Sequence, residues 1–373
     1  MKICFVMLRA YPVFQPELKE KFGGAEVQVY LLSRELAKDP EFEVSCISRD
    51  YGQRDGEVIE GVCQHKIFQG GPLFARVPGV NKALSAWGLY QTLKRINADI
   101  YVQRCAAVET GITAHYCWKH NRKFVYSFAS DKDVDERLDK IETPSVVRSF
   151  NYGLRHCHAS ICQNEYQRDR ARARWKIDPV ILPSLQEIKL ANWQFPKGKT
   201  ILWVGRGVAL KQAEIFYDLA CYFPNQQFVI IMPPGPEPEY FEKSMAEGRL
   251  IPNLQLHTYV PYQETDQFFS QARVLVNTST YEGFPNTFLQ AMKFGVPVLS
   301  LSVNPNEILT RERVGLCAGG DVNKLRDHLD LLLRDDNLYR TLSLRAWEYM
   351  VRTHDAARIV GEYKKLFQSL IAR

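Results

Sequence analysis

Short apolar, β-branched runs alternate with longer amphipathic stretches along nearly the whole chain, and the alternation restarts once, about halfway. In the first half, Lys2–Leu8, Glu43–Ser48, Cys63–Phe68, Asp99–Gln103, Lys123–Phe128 and His158–Gln163 read as strands. Between them, Ala25–Lys38, Ala83–Ile96, Gly111–His120 and Val147–Arg155 read as helices. The pattern fades where Pro183, Pro196 and Gly198 punctuate a stretch of mixed polarity. It resumes with strands at Thr200–Val204, Gln227–Met232, Leu254–Tyr259, Arg273–Asn277, Pro297–Leu301 and Val314–Ala318, and Leu338–Leu370 reads as helical. Such alternation predicts parallel sheets with helices on both faces. A chain of 373 residues is long for a single core. The expectation is two α/β domains, 1–182 and 199–350, joined by a linker at 183–198. A C-terminal helical segment, 351–373, is expected to pack back toward the first domain. The crevice between such domains is the usual place for a ligand.

Composition narrows the partners. A net charge of +6 is mild and dispersed, which excludes an electrostatic case for nucleic acid and suits an anionic small molecule or an anionic membrane surface. The longest apolar runs, such as Phe228–Met232 and Val296–Leu301, fall far short of the ~18 residues that span a bilayer. The opening run Met1–Arg9 reads as a buried first strand rather than a signal peptide. Nine scattered cysteines without a Cys-x-x-Cys pair fit a reducing cytoplasm.

Three stretches sit where a strand gives way to a helix. The first pairs Gly23 and Gly24 ahead of a helix, so that backbone amides and the helix dipole could meet an anion; a plain tight turn is an equal reading. The second, Gly205-Arg206-Gly207 with Lys211, begins a dinucleotide-type glycine pattern but has Leu210 at the third glycine position. Its two cations could neutralise a diphosphate, Arg206 as a planar fork and Lys211 as a point charge, against the alternative of two solvated surface groups. The third, Ser279–Met292, is the most specific. Glu282 lies in the loop, Gly283, Phe284 and Pro285 follow it, Asn286 and Thr287 open a helix, and Gln290 lies one to two turns further in. A carboxylate for sugar hydroxyls beside an amide-rich helix start for phosphate suits a sugar nucleotide.

In this order and spacing, the three stretches resemble the GT4 family of retaining glycosyltransferases, most densely from Leu202 to Leu301. The resemblance implies the GT-B fold: two Rossmann-like domains with parallel sheets facing an inter-domain cleft. It also implies that Arg206 and Lys211 bind the donor diphosphate and that Glu282 touches the transferred sugar. Val260, after a strand of the second domain, would lie near the base. The family's second motif glutamate, which holds the ribose, falls at Gln290, where only an uncharged hydrogen bond remains. The family's histidine after the strand Lys123–Phe128 falls at Ala129, which leaves Asp131 as the candidate for orienting the acceptor hydroxyl. No cofactor and no metal are expected. The Asp-x-Asp within Asp131–Asp135 is short and common, and acidic runs default to solvated loops. The types in His156-Cys157-His158 and Cys162 suit zinc but lack a second spaced pair, and the basic run from Arg168 to Lys176 defaults to a solvated helix, with a lipid-facing patch as the sharper option.

The expected activity is transfer of a sugar from a nucleoside diphosphate sugar to a saccharide or lipid-linked saccharide acceptor, in bacterial surface polysaccharide synthesis. The setting would be the cytoplasm, with peripheral contact at the inner membrane face. A nucleotide-sugar epimerase, a phosphorylase or a non-catalytic nucleotide-sugar-binding partner of another transferase would use the same architecture, and these remain open.

Overall fold

The structure, a computed structural model, describes residues 1–67, 80–188, 195 and 198–372. The chain forms two compact units, Met1–Leu185 with Ala356–Arg373, and Gln186–Asp355.

The first unit is built on eight strands: β1 (Lys2–Val6), β2 (Glu43–Ser48), β3 (Glu57–Ile59), β4 (Val62–Lys66), β5 (Ile100–Arg104), β6 (Lys123–Ser127), β7 (Ala159–Cys162) and β8 (Val180–Ile181). Their order is β3-β4-β2-β1-β5-β6-β7-β8. Every neighbouring pair is parallel except β3 with β4. β3 and β8 are additions to the predicted strands; both are short edge strands, too brief to carry a periodicity. The helix predicted from Val147 begins at Pro144, which suits a first helical turn where no N–H is needed. The helical tail breaks at Asp355 into Asp336–His354 and Ala356–Ile371. The last helix packs on Gly24–Ala37 and buries Ile359, Tyr363, Phe367 and Leu370, with Lys364 Nζ 2.5 Å from Asp39.

The second unit has β9 (Thr200–Val204), β10 (Gln227–Ile231), β11 (Leu254–His257), β12 (Ala272–Asn277), β13 (Val298–Ser300) and β14 (Gly315–Cys317), all parallel, in the order β11-β10-β9-β12-β13-β14. Because its strands are covered on both faces, they read as nearly unbroken apolar runs. Alternate residues serve two separate cores: Ile201 and Trp203 face one, Leu202 and Val204 the other. Strand order reverses between β9 and β12, which opens a crevice beyond their carboxyl ends. The second and third stretches of the sequence are the loops that leave these two strands.

Candidate active site

The loop after β9 is shaped by its glycines. Gly205 N donates to Ile231 O and Gly207 N to Pro233 O, so the loop continues alongside the one leaving β10. A Cβ on Gly207 would lie 2.6 Å from the Phe241 ring, and one on Gly235 would lie 2.4 Å from Gly207 O. These glycines let the protein approach itself closely. Between them Arg206 projects outward, exposed and without an ion pair among the described residues. A single 3₁₀ turn, Ala209–Lys211, follows, and Gln212 at φ 48° redirects the chain into the helix Ala213–Tyr222.

That turn aims Lys211 at the loop leaving β12. Lys211 Nζ lies 2.8 Å from Glu282 Oε1, with side chains 16% and 18% exposed. Asn277 Nδ2 and Ser279 Oγ each donate to the same oxygen at 2.8 Å. Donation from a cation and two neutral groups holds the carboxylate in one orientation. The two loops are also stitched together. Thr278 Oγ1 donates to Lys211 O at 2.6 Å and accepts from Trp203 Nε1 at 2.9 Å, while Thr280 N donates to Leu210 O at 3.1 Å. Two of the predicted residues thus meet directly, and Arg206 stands on the same loop as Lys211. Asn277 and Ser279, which fix Glu282, and Thr278 and Trp203, which fix the Lys211 loop, were given no role from sequence; for the first three the polar run that closes the apolar strand β12 was the only signal, and Trp203 lies within the apolar run of β9.

Beyond Glu282, Gly283 and Phe284 lead to Pro285, the N-cap of the seven-residue helix Asn286–Met292, and no side chain caps it. Thr287 lies in its first turn, and Phe284 packs 5.6 Å from the buried His354 ring. Gln290 is 6% exposed and donates from Nε2 to Thr265 Oγ1 at 3.0 Å, so its amide nitrogen serves the fold. Next to it, Lys293 pairs with Asp266 at 2.7 Å. Val260 follows β11 in a loop whose Pro261 caps the helix Tyr262–Gln271, and it packs partly against the core.

The remaining predicted residues belong to the first unit. Gly23 is the N-cap of Gly24–Ala37, and its N–H donates to Glu26 Oε2 at 3.0 Å, so this amide already serves a carboxylate of its own helix. Asp131 opens a 3₁₀ turn after β6 and is held by Gln167 Nε2, 2.8 Å from its Oδ1. Asp133 is 1% exposed and accepts from the amides of Ala129 and Ser130; burial pushes its carboxyl above the usual range against the pull of the Ala129 amide. Burial also opposes ionisation of Asp135, but the Arg137 fork outweighs it and brings that carboxyl down. The acids of the Asp-x-Asp run therefore face different partners. Among the described residues, no group of three or more His, Cys, Asp or Glu is placed to hold a metal ion. His156 and His158 each bond the backbone through Nδ1, at Tyr152 O and Phe124 N. The four arginines of the basic run are ion-paired, Arg168 with Glu165, Arg170 with Glu136, Arg172 with Asp178 and Arg174 with Asp139, while Lys176 Nζ donates to Ala173 O. Within the first unit, the segment Tyr51–Glu60 includes β3, and most of Gln69–Asn81 lies outside the described residues.

Comparison with known proteins decides the family. The pattern of glycosyl transferases group 1 matches residues 186–348, and that of Glycosyltransferase Family 4 matches residues 22–183, together most of the chain. The chain belongs to the GT4 glycosyltransferases. Its GT-B fold is shared with sucrose-phosphate synthase of Thermosynechococcus elongatus, at TM-score 0.76 and 17% identity over 100% of this chain and 99% of that one. TarM of S. aureus, solved with fondaparinux, alpha-GlcNAc-glycerol and UDP, gives TM-score 0.76 at 13% identity, covering 98% of this chain and 99% of that one. Among curated sequences, this GT4 chain is 25% identical over 129 residues to N-acetyl-alpha-D-glucosaminyl L-malate synthase of Bacillus anthracis, 33% of this chain and 34% of that protein. It is 23% identical over 177 residues to 2-deoxystreptamine N-acetyl-D-glucosaminyltransferase of Niallia circulans, 46% and 45% of the two. The chain thus spans about a third to a half of the length of these curated relatives. Among the described residues no helix is long and apolar enough to cross a membrane.

Proposed function

We propose that this protein transfers a hexose-type unit from a nucleoside diphosphate sugar to a saccharide or lipid-linked saccharide acceptor, with the anomeric configuration retained. The observation that carries the reading is the Lys211–Glu282 pair at the β9/β12 reversal, on the same loop as Arg206, which has no ion pair among the described residues. Glu282 Oε1 is fully engaged, which leaves the other carboxylate oxygen to receive a sugar hydroxyl. Lys211 and Arg206 supply positive charge where a departing diphosphate gathers negative charge, an electrostatic role often worth more than any other in catalysis. Gly283–Thr287 would pass the phosphates, Val260 the base, and the Gln290 carbonyl one ribose hydroxyl. Asp131, oriented by Gln167, would align the acceptor hydroxyl, and Gly23 and Gly24 would let backbone come close to the ligand. The leaving phosphate itself would take the acceptor proton, without a metal and without a second carboxylate as nucleophile. The setting in this reading is the cytoplasmic side of bacterial surface polysaccharide synthesis, with contact at the membrane face.

Calorimetry with UDP-, GDP- and ADP-sugars in EDTA, wild type beside Lys211→Ala, tests it. One donor class should bind without metal, and the variant should bind it at least about tenfold more weakly, ~1.4 kcal/mol. Equal binding by the variant, or binding only with Mn²⁺, would sink the site assignment. Donor binding with no turnover on any saccharide acceptor would favour the non-catalytic reading instead.

A further inference from the structure

Arg104 ends β5 in the first unit, far from the chemistry of the β9 and β12 loops in sequence and in role. It is 8% exposed and has no carboxylate partner among the described residues. Its Nη1 donates to Ser127 Oγ at 2.8 Å, and its Nε is buried without any hydrogen-bond partner. The guanidinium lines a small, partly open cavity together with Gln28, Leu185 and Tyr363 among others. The cavity has room for a guest of water or ion size and is too small for a sugar.

A buried charge is tolerated when it is paired, or when the group can shed it. Lysine or histidine would lose a proton here; a guanidinium cannot. Asp133, a carboxylate near enough to feel this charge, already accepts from the amides of Ala129 and Ser130 and makes no ion pair with Arg104 among the described residues. The arginine is also fixed in place rather than free to swing to solvent. Gln103 Nε2 donates to both Arg104 O and Cys105 O, Thr110 Oγ1 holds Gln103 Oε1, and Cys105 is locked at φ 74°. Around the cavity stand neutral donors: Ser127, and the Tyr363 phenol, which burial keeps protonated and which faces Ser127 and Arg104. The wall is completed by Gln28, whose amide is paired with both backbone groups of Leu185, at 2.8 and 3.1 Å.

We propose that this cavity is a binding site for a small singly charged anion, a halide or the carboxylate of a compact solute, held by Arg104 and neighbouring hydroxyls. An anion there supplies the missing countercharge and ties β5 and β6 to the strap Pro183–Leu185 and the C-terminal helix. The site uses none of the residues assigned to the donor, so either reading can fail alone.

The test is a bromide soak of crystals of the full chain, with anomalous diffraction, alongside melting temperatures in chloride, formate, acetate and gluconate at constant ionic strength. The expected result is an anomalous peak within hydrogen-bonding reach of Arg104. The melting temperature should rise saturably with chloride, whereas gluconate, too large for the cavity, should give no such rise. A response to formate and acetate as strong as that to chloride would assign the site to carboxylates; a response to chloride alone would assign it to halides. Arg104→Met should lose the saturable rise. If that variant does not fold, Ser127→Ala keeps the charge and should need roughly tenfold more anion for the same rise, as loss of a bound-state contact requires. A water with no anomalous signal, or the same salt response in wild type and variant, would overturn the proposal.

Discussion

Glu282 receives a lysine and two neutral donors on one oxygen, and that asymmetry makes its neighbours unequal. Replacing Lys211 with methionine keeps the length but leaves a part-buried carboxylate with neutral partners only. We expect donor affinity to fall by about 1.5–3 kcal/mol, the range for hydrogen bonds to charged groups, in a calorimetric titration. Ser279→Ala should cost about 0.5–1.5 kcal/mol by the same measurement, because Asn277 and Lys211 remain. Asp133 gives a pH signature instead. Its folded-state pKa is raised above the ordinary 3.8, so between those two values the native state binds more protons than the unfolded state. Its contribution is therefore fully present below pH 3.8 and is lost as pH rises through the raised value. Asp133→Asn cannot titrate, so urea midpoints should move in the variant's favour between pH 4 and pH 7. A constant difference across that range would show that Asp133 does not carry a raised pKa. Legibility at this scale was uneven. Lys211 and Glu282 stood out because their loops carry unusual residue types, whereas Trp203, Thr278 and Asn277 act only through where two distant loops meet. The hydrogen bond from Gln290 to Thr265 was equally invisible, since nothing in the helix pattern names a partner on Tyr262–Gln271.

Elements were easier to read than side-chain roles. Buried parallel strands such as β10 and β12 are nearly continuous apolar runs, and no other local structure competes for them. The short edge strands β3 and β8 carry no such signal, and the break at Asp355 hides inside a pattern that stays helical on both sides. Glycine told less than it promised. The Gly205-x-Gly207 turn reads as a ligand cradle, yet a side chain at Gly207 would strike Phe241 and one at Gly235 would strike backbone. A phenyl ring can give way and a backbone carbonyl cannot. Gly235→Ala should therefore destabilise more than Gly207→Ala, by about 1–3 kcal/mol or more, as overpacking does, with the difference read from denaturant midpoints. Equal losses would mean that the β9 and β10 loops are not packed as closely as the structure has them.

At the scale of the molecule, the second unit is one continuous segment while the first is made from both ends of the chain. The last helix buries Ile359, Tyr363, Phe367 and Leu370 within the first unit, each a side chain worth about 1.5–3 kcal/mol when fully buried. A chain stopped after Asp355 should lose the first unit's cooperative melting transition and keep the second's, as calorimetric scanning would show. The division into two α/β units was legible because the alternation restarts near Thr200; the expectation that 351–373 packs back toward the first domain had no such signal behind it, because which apolar faces match is not encoded in sequence periodicity. The chain enters the second unit at Gln186 and leaves it at Asp355, and these residues are bridge partners, with Gln186 N donating to His354 O at 2.9 Å. Entry and exit lie side by side. The second unit is thus wired as an insertion with a single seam, so one pair of cuts, at 185/186 and 355/356, would lift out the part assigned to the donor as an exchangeable cassette.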